Sequence, residues 1–234
     1  MEERRGILKR LYEWEKGEMS ETLTIGILLA MVGGFLDVYS YMARGGVFAT
    51  AQTGNIVLLG LSIAQSRWLE ALYYVFPIAA FALGILVAEA VKAFFLKNRI
   101  LNWRQIVIGF EGLILFAVAF MPPGMNVLAN VSVSFVSSLQ IESFRMMNGN
   151  PYASTMCTGN FRSAMELLFL YGKGRDRVSL EKSLAYFHVI FFFIVGVVVG
   201  AFATRHLAER SVLLACIPQF LVFLLLFLRK GKES

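Results

Sequence analysis

The hydrocarbon of a bilayer is about 30 Å thick and takes roughly 20 apolar residues of helix to cross. Six stretches of this chain meet that demand, over residues 22–42, 71–93, 105–121, 126–146, 183–204 and 211–228. Composition agrees, with 57% hydrophobic residues, 16% charged residues and a mean hydropathy of +0.65. Soluble domains average about 45–50% apolar and about 25% charged. A secreted disulfide scaffold, a disordered tail and a nucleic-acid partner are excluded on that ground. The net charge of +6 is spread in short clusters between the apolar spans, which is a topology signal. Cys157 and Cys216 lie in apolar stretches and form neither a metal spacing nor a disulfide framework, so no metal and no cofactor is expected.

The first span is not a cleaved signal, because the twenty residues before it are too long and too acidic. Ile7, Leu8, Leu11 and Trp14 recur at helical spacing against Arg4, Lys9, Arg10 and Glu13. That pattern predicts a cytoplasmic interfacial helix over 1–21.

Two further stretches, 46–65 and 151–171, begin with small and β-branched residues and pass through Thr-Gly-Asn before turning helix-like. If both turn back, the chain has six crossings. The cytoplasmic side then collects 18 Lys and Arg, and the outside keeps four: Arg44, Arg67, Arg205 and Arg210. If both cross, the ratio falls to 13 against eight, with Arg162 inside the membrane. The positive-inside rule selects six crossings, with both termini and the tail 229–234 cytoplasmic.

Asp37 precedes Thr53 by 16 residues, and Glu142 precedes Thr158 by the same interval. In that register Thr50 falls on Thr155 and Thr53-Gly54-Asn55 on Thr158-Gly159-Asn160. Gly84 and Ala88 match Gly196 and Gly200 once seven extra residues are allowed. The halves 22–121 and 122–228 each read as span, re-entrant segment, span, span. Three crossings per half put the halves in opposite orientations. The expected fold is an all-α membrane protein of six transmembrane helices, two inverted three-helix repeats each carrying a re-entrant strand and half-helix. The stripes Ala80, Gly84, Ala88 and Gly196, Gly200 allow close helix packing. Packing within the chain is favoured over a homodimer seam because the stripes are repeat-related.

Gly34-Phe-Leu-Asp37, Phe48-Ala-Thr-Ala-Gln-Thr-Gly-Asn55, Gln140-Ile-Glu-Ser-Phe-Arg145 and Thr155-Met-Cys-Thr-Gly-Asn160 resemble the YoaK-like family over nearly the whole chain after residue 22. The resemblance implies a multi-pass protein of the bacterial inner membrane and supplies no substrate. A likeness of shape alone extends to nucleobase and sulfate permeases, whose half-helices also follow short extended strands.

Irregular backbone at membrane depth survives only when buried in protein or lining a water-filled cavity. Gly54 and Gly159 permit a sharp turn, while Thr53 or Asn55, and Thr158 or Asn160, are candidate caps. Each half-helix would aim about half a positive charge at the protein's middle. Two facing ends suit an anion, a carboxylate or a small polar solute, and Arg162 would add a full charge. The alternative is a plug in which Asn55 and Asn160 hold the segments together.

Asp37, Glu142 and Glu111 are the candidate ion-coupling carboxylates. Asp37 and Glu142 lie about 16 Å apart along the membrane normal at helical rise, too far for an acid dyad. Arg145 and Arg162 are candidate partners for Glu142, whereas Asp37 and Glu111 have none nearby in sequence. Glu89 with Lys92 reads as an interfacial pair, and His188 as packing. No nucleophile with a base and no aspartate pair is present, so an enzyme is not expected. A small-molecule transporter is the favoured reading. A channel, or a structural subunit that binds a protein partner, is the alternative.

Overall fold

Helix starts and stops follow local chemistry. Asp176 opens one helix by accepting the N–H groups of Val178 and Ser179, each at 3.1 Å, and the Ser179 hydroxyl at 2.8 Å. Those bonds to Ser179 and Val178 hold its carboxyl below the usual range. The helix before it closes at Arg175, whose left-handed φ of 50° lets its N–H reach the Tyr171 carbonyl at 2.7 Å.

The computed structural model describes residues 21–95 and 103–228. The expected interfacial helix and the C-terminal tail lie outside the described residues, except for residue 21. The helices are α1 (Leu23–Ala43), α2 (Gln52–Ala64), α3 (Trp68–Phe95), α4 (Trp103–Val118), α5 (Asn126–Ser143), α6 (Cys157–Gly174), α7 (Arg177–Leu207) and α8 (Cys216–Leu228). A 3-10 segment, Ala208–Leu214, leads into α8. The strands Met146–Met147 and Asn150–Pro151 form a small hairpin, with Met146 opposite Pro151.

The six expected stretches are mainly helical, but 105–121 and 126–146 run past helices that end at Val118 and Ser143, and 211–228 opens in the 3-10 segment. Among the described residues, three stretches are long and apolar enough to cross a membrane: Leu23–Ala43, Trp68–Phe95 and Arg177–Phe227. Large apolar side chains face outward from them, among them Leu69, Leu86, Phe191 and Phe202. Exposed apolar area on that scale suits lipid rather than water. Helix α5 is too polar to qualify, because Asn130, Ser134, Ser137, Ser138, Gln140 and Ser143 are buried against the other elements instead of facing outward.

Close helix contact decides the arrangement. Helix α1 packs along α7, and α5 packs along α3. A Cβ added at Gly34 would lie 2.1 Å from the Phe193 carbonyl oxygen, and one at Gly196 would lie 2.2 Å from that of Met31. At Gly84 a Cβ would lie 1.9 Å from Ser138 Oγ. Both small-residue stripes are thus occupied by packing within the chain.

Replacing Gly196 with Ala must therefore force α1 and α7 apart. We expect a loss of about 1–3 kcal/mol, read as a lower melting temperature in detergent. Gly60→Ala, with nothing within 4 Å of the added carbon, should leave the melting temperature unchanged or raise it.

Candidate functional site

One stripe of α1 carries both of the irregular segments. Gly26, Leu29, Gly33, Asp37 and Ser40 recur at intervals of three and four, so they share a helix face. A Cβ at Gly26 would meet Met147 Sδ at 3.0 Å, and one at Gly33 would meet Thr155 Cγ2 at 2.7 Å and the Ser154 carbonyl oxygen at 3.0 Å. Glycine at 33 is what lets the second segment touch the α1 backbone. One turn further on, Asp37 Oδ1 accepts the Thr50 hydroxyl at 2.5 Å and the Thr50 N–H at 3.2 Å. Ser40 Oγ accepts the Ala49 N–H at 3.2 Å. The two segments thus meet α1 within about one helical turn, or 5.4 Å.

Helix α5 supplies the facing groups. Ser134 Oγ donates to the Ala49 carbonyl at 2.7 Å. Gln140 Nε2 donates to Ser154 Oγ at 2.7 Å and to the Leu29 carbonyl at 3.3 Å. Each segment is also stapled to its own helix. Asn55 Nδ2 donates to the Phe48 carbonyl at 2.9 Å, and Asn160 Nδ2 donates to the Ala153 carbonyl at 2.7 Å. Asn160 Oδ1 accepts the Ala153 N–H at 3.3 Å. Both staples span seven residues.

This geometry revises the capping expectation. Helices α2 and α6 begin at Gln52 and Cys157, with Ala51 and Met156 as caps that offer no side-chain bond. Thr53 and Thr158 are exposed on the first turn. Gly54 and Gly159 are the third helical residues and make no sharp turn; nothing lies within 4 Å of a Cβ at Gly159. Of the two Thr-Gly-Asn triplets, only Asn55 and Asn160 point inward, and they bind backbone that precedes the helix.

The charged residues separate into three places. Asp37 is at the meeting of the segments, with Thr50 as the partner that local sequence did not reveal. Glu142 is at the far end of α5, paired with Arg145 at 3.1 Å and adjacent to Glu89 and Lys92. The expected cluster of Glu142 with Arg162 is not formed: Arg162 is exposed on α6 and is not among the groups acting on Glu142. Glu111 is fully buried between α4 and α8 and accepts Gln219 Nε2 at 3.1 Å. Glu89 and Lys92 pair at 3.0 Å as expected. His188 Nδ1 lies 2.6 Å from the Leu184 carbonyl oxygen of its own helix turn.

The family profile described as "Protein of unknown function (DUF1275)" matches residues 25–225. The chain belongs to this family. It is 26% identical over 192 residues to the UPF0700 transmembrane protein YoaK of Bacillus subtilis (strain 168), covering 77% of this chain and 83% of that protein. No solved structure matches. With the family's transmembrane relative and the outward apolar faces, the chain is a membrane protein.

The family match spans the whole of the polar centre, including residues that sequence reasoning passed over. Ser134 drew no notice in the sequence, and Thr50, Thr155 and Gln140 stood out only as repeat or motif positions, with their partners on α1 and α5 unseen. Arg44 was counted among the outward loop charges and is fully buried. Its Nε donates to Tyr39 Oη at 2.7 Å, Nη1 to the Met121 carbonyl at 2.9 Å and to Asn126 Oδ1 at 3.3 Å, and Nη2 to the Val118 carbonyl at 2.9 Å. The charge is met by the negative end of α4 rather than by a carboxylate. The Arg44 carbonyl in turn accepts Asn130 Nδ2 at 2.8 Å and Tyr73 Oη at 3.1 Å.

Arg44→Met removes several charge-assisted bonds and should cost at least about 3 kcal/mol in a detergent melt. Arg44→Lys should recover only a part, since an ammonium cannot fork between two carbonyls. Glu142→Gln, which breaks an exposed i,i+3 pair, should change stability by less than about 1 kcal/mol.

Proposed function

We propose that the protein is a small-molecule membrane transporter whose solute binds where α2 and α6 begin. The solute is a small anion, a carboxylate or a small polar molecule. The carrying observation is the convergence of two non-helical segments on one face of α1, beside buried oxygens with no partner: Asn55 Oδ1, Gln140 Oε1 and Thr155 Oγ1. Unpaired buried polar atoms cost free energy, and a bound solute or water can recover it. Each half-helix brings first-turn N–H groups and a partial positive charge to the same region.

In this reading the chain crosses the bacterial inner membrane six times, as inverted three-helix repeats, with both termini cytoplasmic. The packing supports it. Helix α1 on α7 corresponds under the repeat to α5 on α3, and α2 on α3 corresponds to α6 on α7. A pseudo-two-fold axis in the membrane plane would generate these pairs. Asp37 is the favoured ion-coupling group, because it alone of the three candidate carboxylates sits at the meeting of the segments. The chemistry is binding and release, with no reaction catalysed and no cofactor. The second reading, a scaffold whose segments only plug the bundle, draws on the Asn55 and Asn160 staples.

Cysteines introduced at Ser66 and Gly174 should label from opposite sides of the membrane, Ser66 from outside; labelling from one side would sink the inverted arrangement. In proteoliposomes, one of a panel of small carboxylates, nucleobases and inorganic anions should enter by a saturable process. Asn160→Ala should weaken it, with a stability loss of about 1–3 kcal/mol for the two bonds removed. A panel in which nothing moves or binds leaves the plug reading standing.

A further inference from the structure

The two half-helix mouths have the same framework and different contents. Thr50 and Thr155 each stand two residues before the first residue of the helix, at matching places in the repeat register. At the first mouth the chain supplies a carboxylate of its own, with Asp37 Oδ1 held by both the hydroxyl and the N–H of Thr50. At the second mouth the matching carboxylate is Glu142, and it is turned away to Arg145. Thr155 is 5% exposed, and its Oγ1 has no partner. Gln140 Oε1, on the residue that holds the neighbouring Ser154, has none either. The first mouth therefore displays the chemistry that a threonine before a half-helix start binds, and the second has that threonine free to bind it.

We propose that the mouth of α6 is a site for a carboxylate ligand, held by the hydroxyl and N–H of Thr155 as those of Thr50 hold Asp37, and that the ligand binds together with a proton on Asp37. This rests on the substrate-site reading above and names its substrate class and its coupling ion. The coupling follows from distance. Thr155 touches α1 at Gly33, one turn of about 5.4 Å from Asp37. Two ionised carboxylates that close, away from bulk water, repel strongly, and a shared proton removes the repulsion. Proton and ligand then favour each other by the same factor, as linkage requires.

Few other charges bear on Asp37. The first segment presents Thr50, and α6 presents Cys157. Helix α7 brings Gly196 and Gly200 to the opposite face of α1. Arg44 and Tyr39 of α1 are turned to each other and to α4 and the Glu209 carbonyl.

The experiment measures binding of acetate, lactate and succinate to the full chain in detergent between pH 6 and 8, by calorimetry and thermal shift, with uracil and chloride alongside. The wild type should bind a carboxylate more tightly on acidification, by up to tenfold per pH unit. Asp37→Asn should bind it with no pH dependence, and more tightly than wild type at pH 8. Thr155→Val should bind it about ten- to a hundredfold more weakly with an unchanged melting temperature, since the hydroxyl has no internal bond to lose. Equal binding by Thr155→Val, or a pH dependence that survives in Asp37→Asn, overturns the proposal. Binding of uracil or chloride but of no carboxylate overturns it while leaving the substrate site standing. Binding of nothing to either wild type or Asp37→Asn removes both.

Discussion

Two short non-helical segments, around residues 47–51 and 152–156, are largely buried in a helical membrane protein, and their peptide groups must find partners there. Lipid cannot provide them, and a segment outside a helix or sheet has few internal bonds to offer. The partners are side chains: Asp37 and Ser40 of α1, Ser134 of α5, and Asn55 and Asn160 of the half-helices. On α5, Ser134 and Gln140 hold the segments, one each. The position of α5 opposite α1 suits that duty, with both segments lying between the two helices.

The close contacts between helices serve the same end. Because Gly34, Gly84, Gly196 and Gly200 let backbone approach backbone, the helix pairs α1–α7 and α3–α5 are held at fixed separation. A looser bundle would let the segments shift, and their side-chain bonds would lengthen. Arg44 adds an anchor at the end of α1, tying it to α4 through the Val118 and Met121 carbonyls and to α3 and α5 through its own carbonyl. A buried guanidinium is tolerated because its donors are met by the acceptor end of a helix. The rigid frame and the polar centre are one construction.

Within it the halves have diverged. The first mouth is closed by its own carboxylate, while the second keeps a bare threonine, and the carboxylate that could have filled it is paired at the surface. The two segments thus share a pattern of bonds while only one of them meets a carboxylate. In the proposed site that asymmetry would set the two ends apart.

Much of this was legible in the chain itself. Apolar stretches placed six mainly helical segments, and among the described residues three stretches are long and apolar enough to cross a membrane. The doubled Thr-Gly-Asn at matched spacing marked both irregular segments, and the glycine stripes marked helix contacts, because both patterns are local. The true helix starts at Gln52 and Cys157, the turn of Asn55 and Asn160 back onto preceding backbone, and the separation of Arg162 from Glu142 were not legible. Nor were the bond of Thr50 to Asp37 and the burial of Arg44. Each depends on which groups a folded segment meets seven to 13 residues away in the chain, or on where a long side chain finds acceptors at another helix's end. Sequence fixes what can cross the membrane; only the tertiary structure decides which buried polar group is satisfied by which, because partner choice is a property of distance in space.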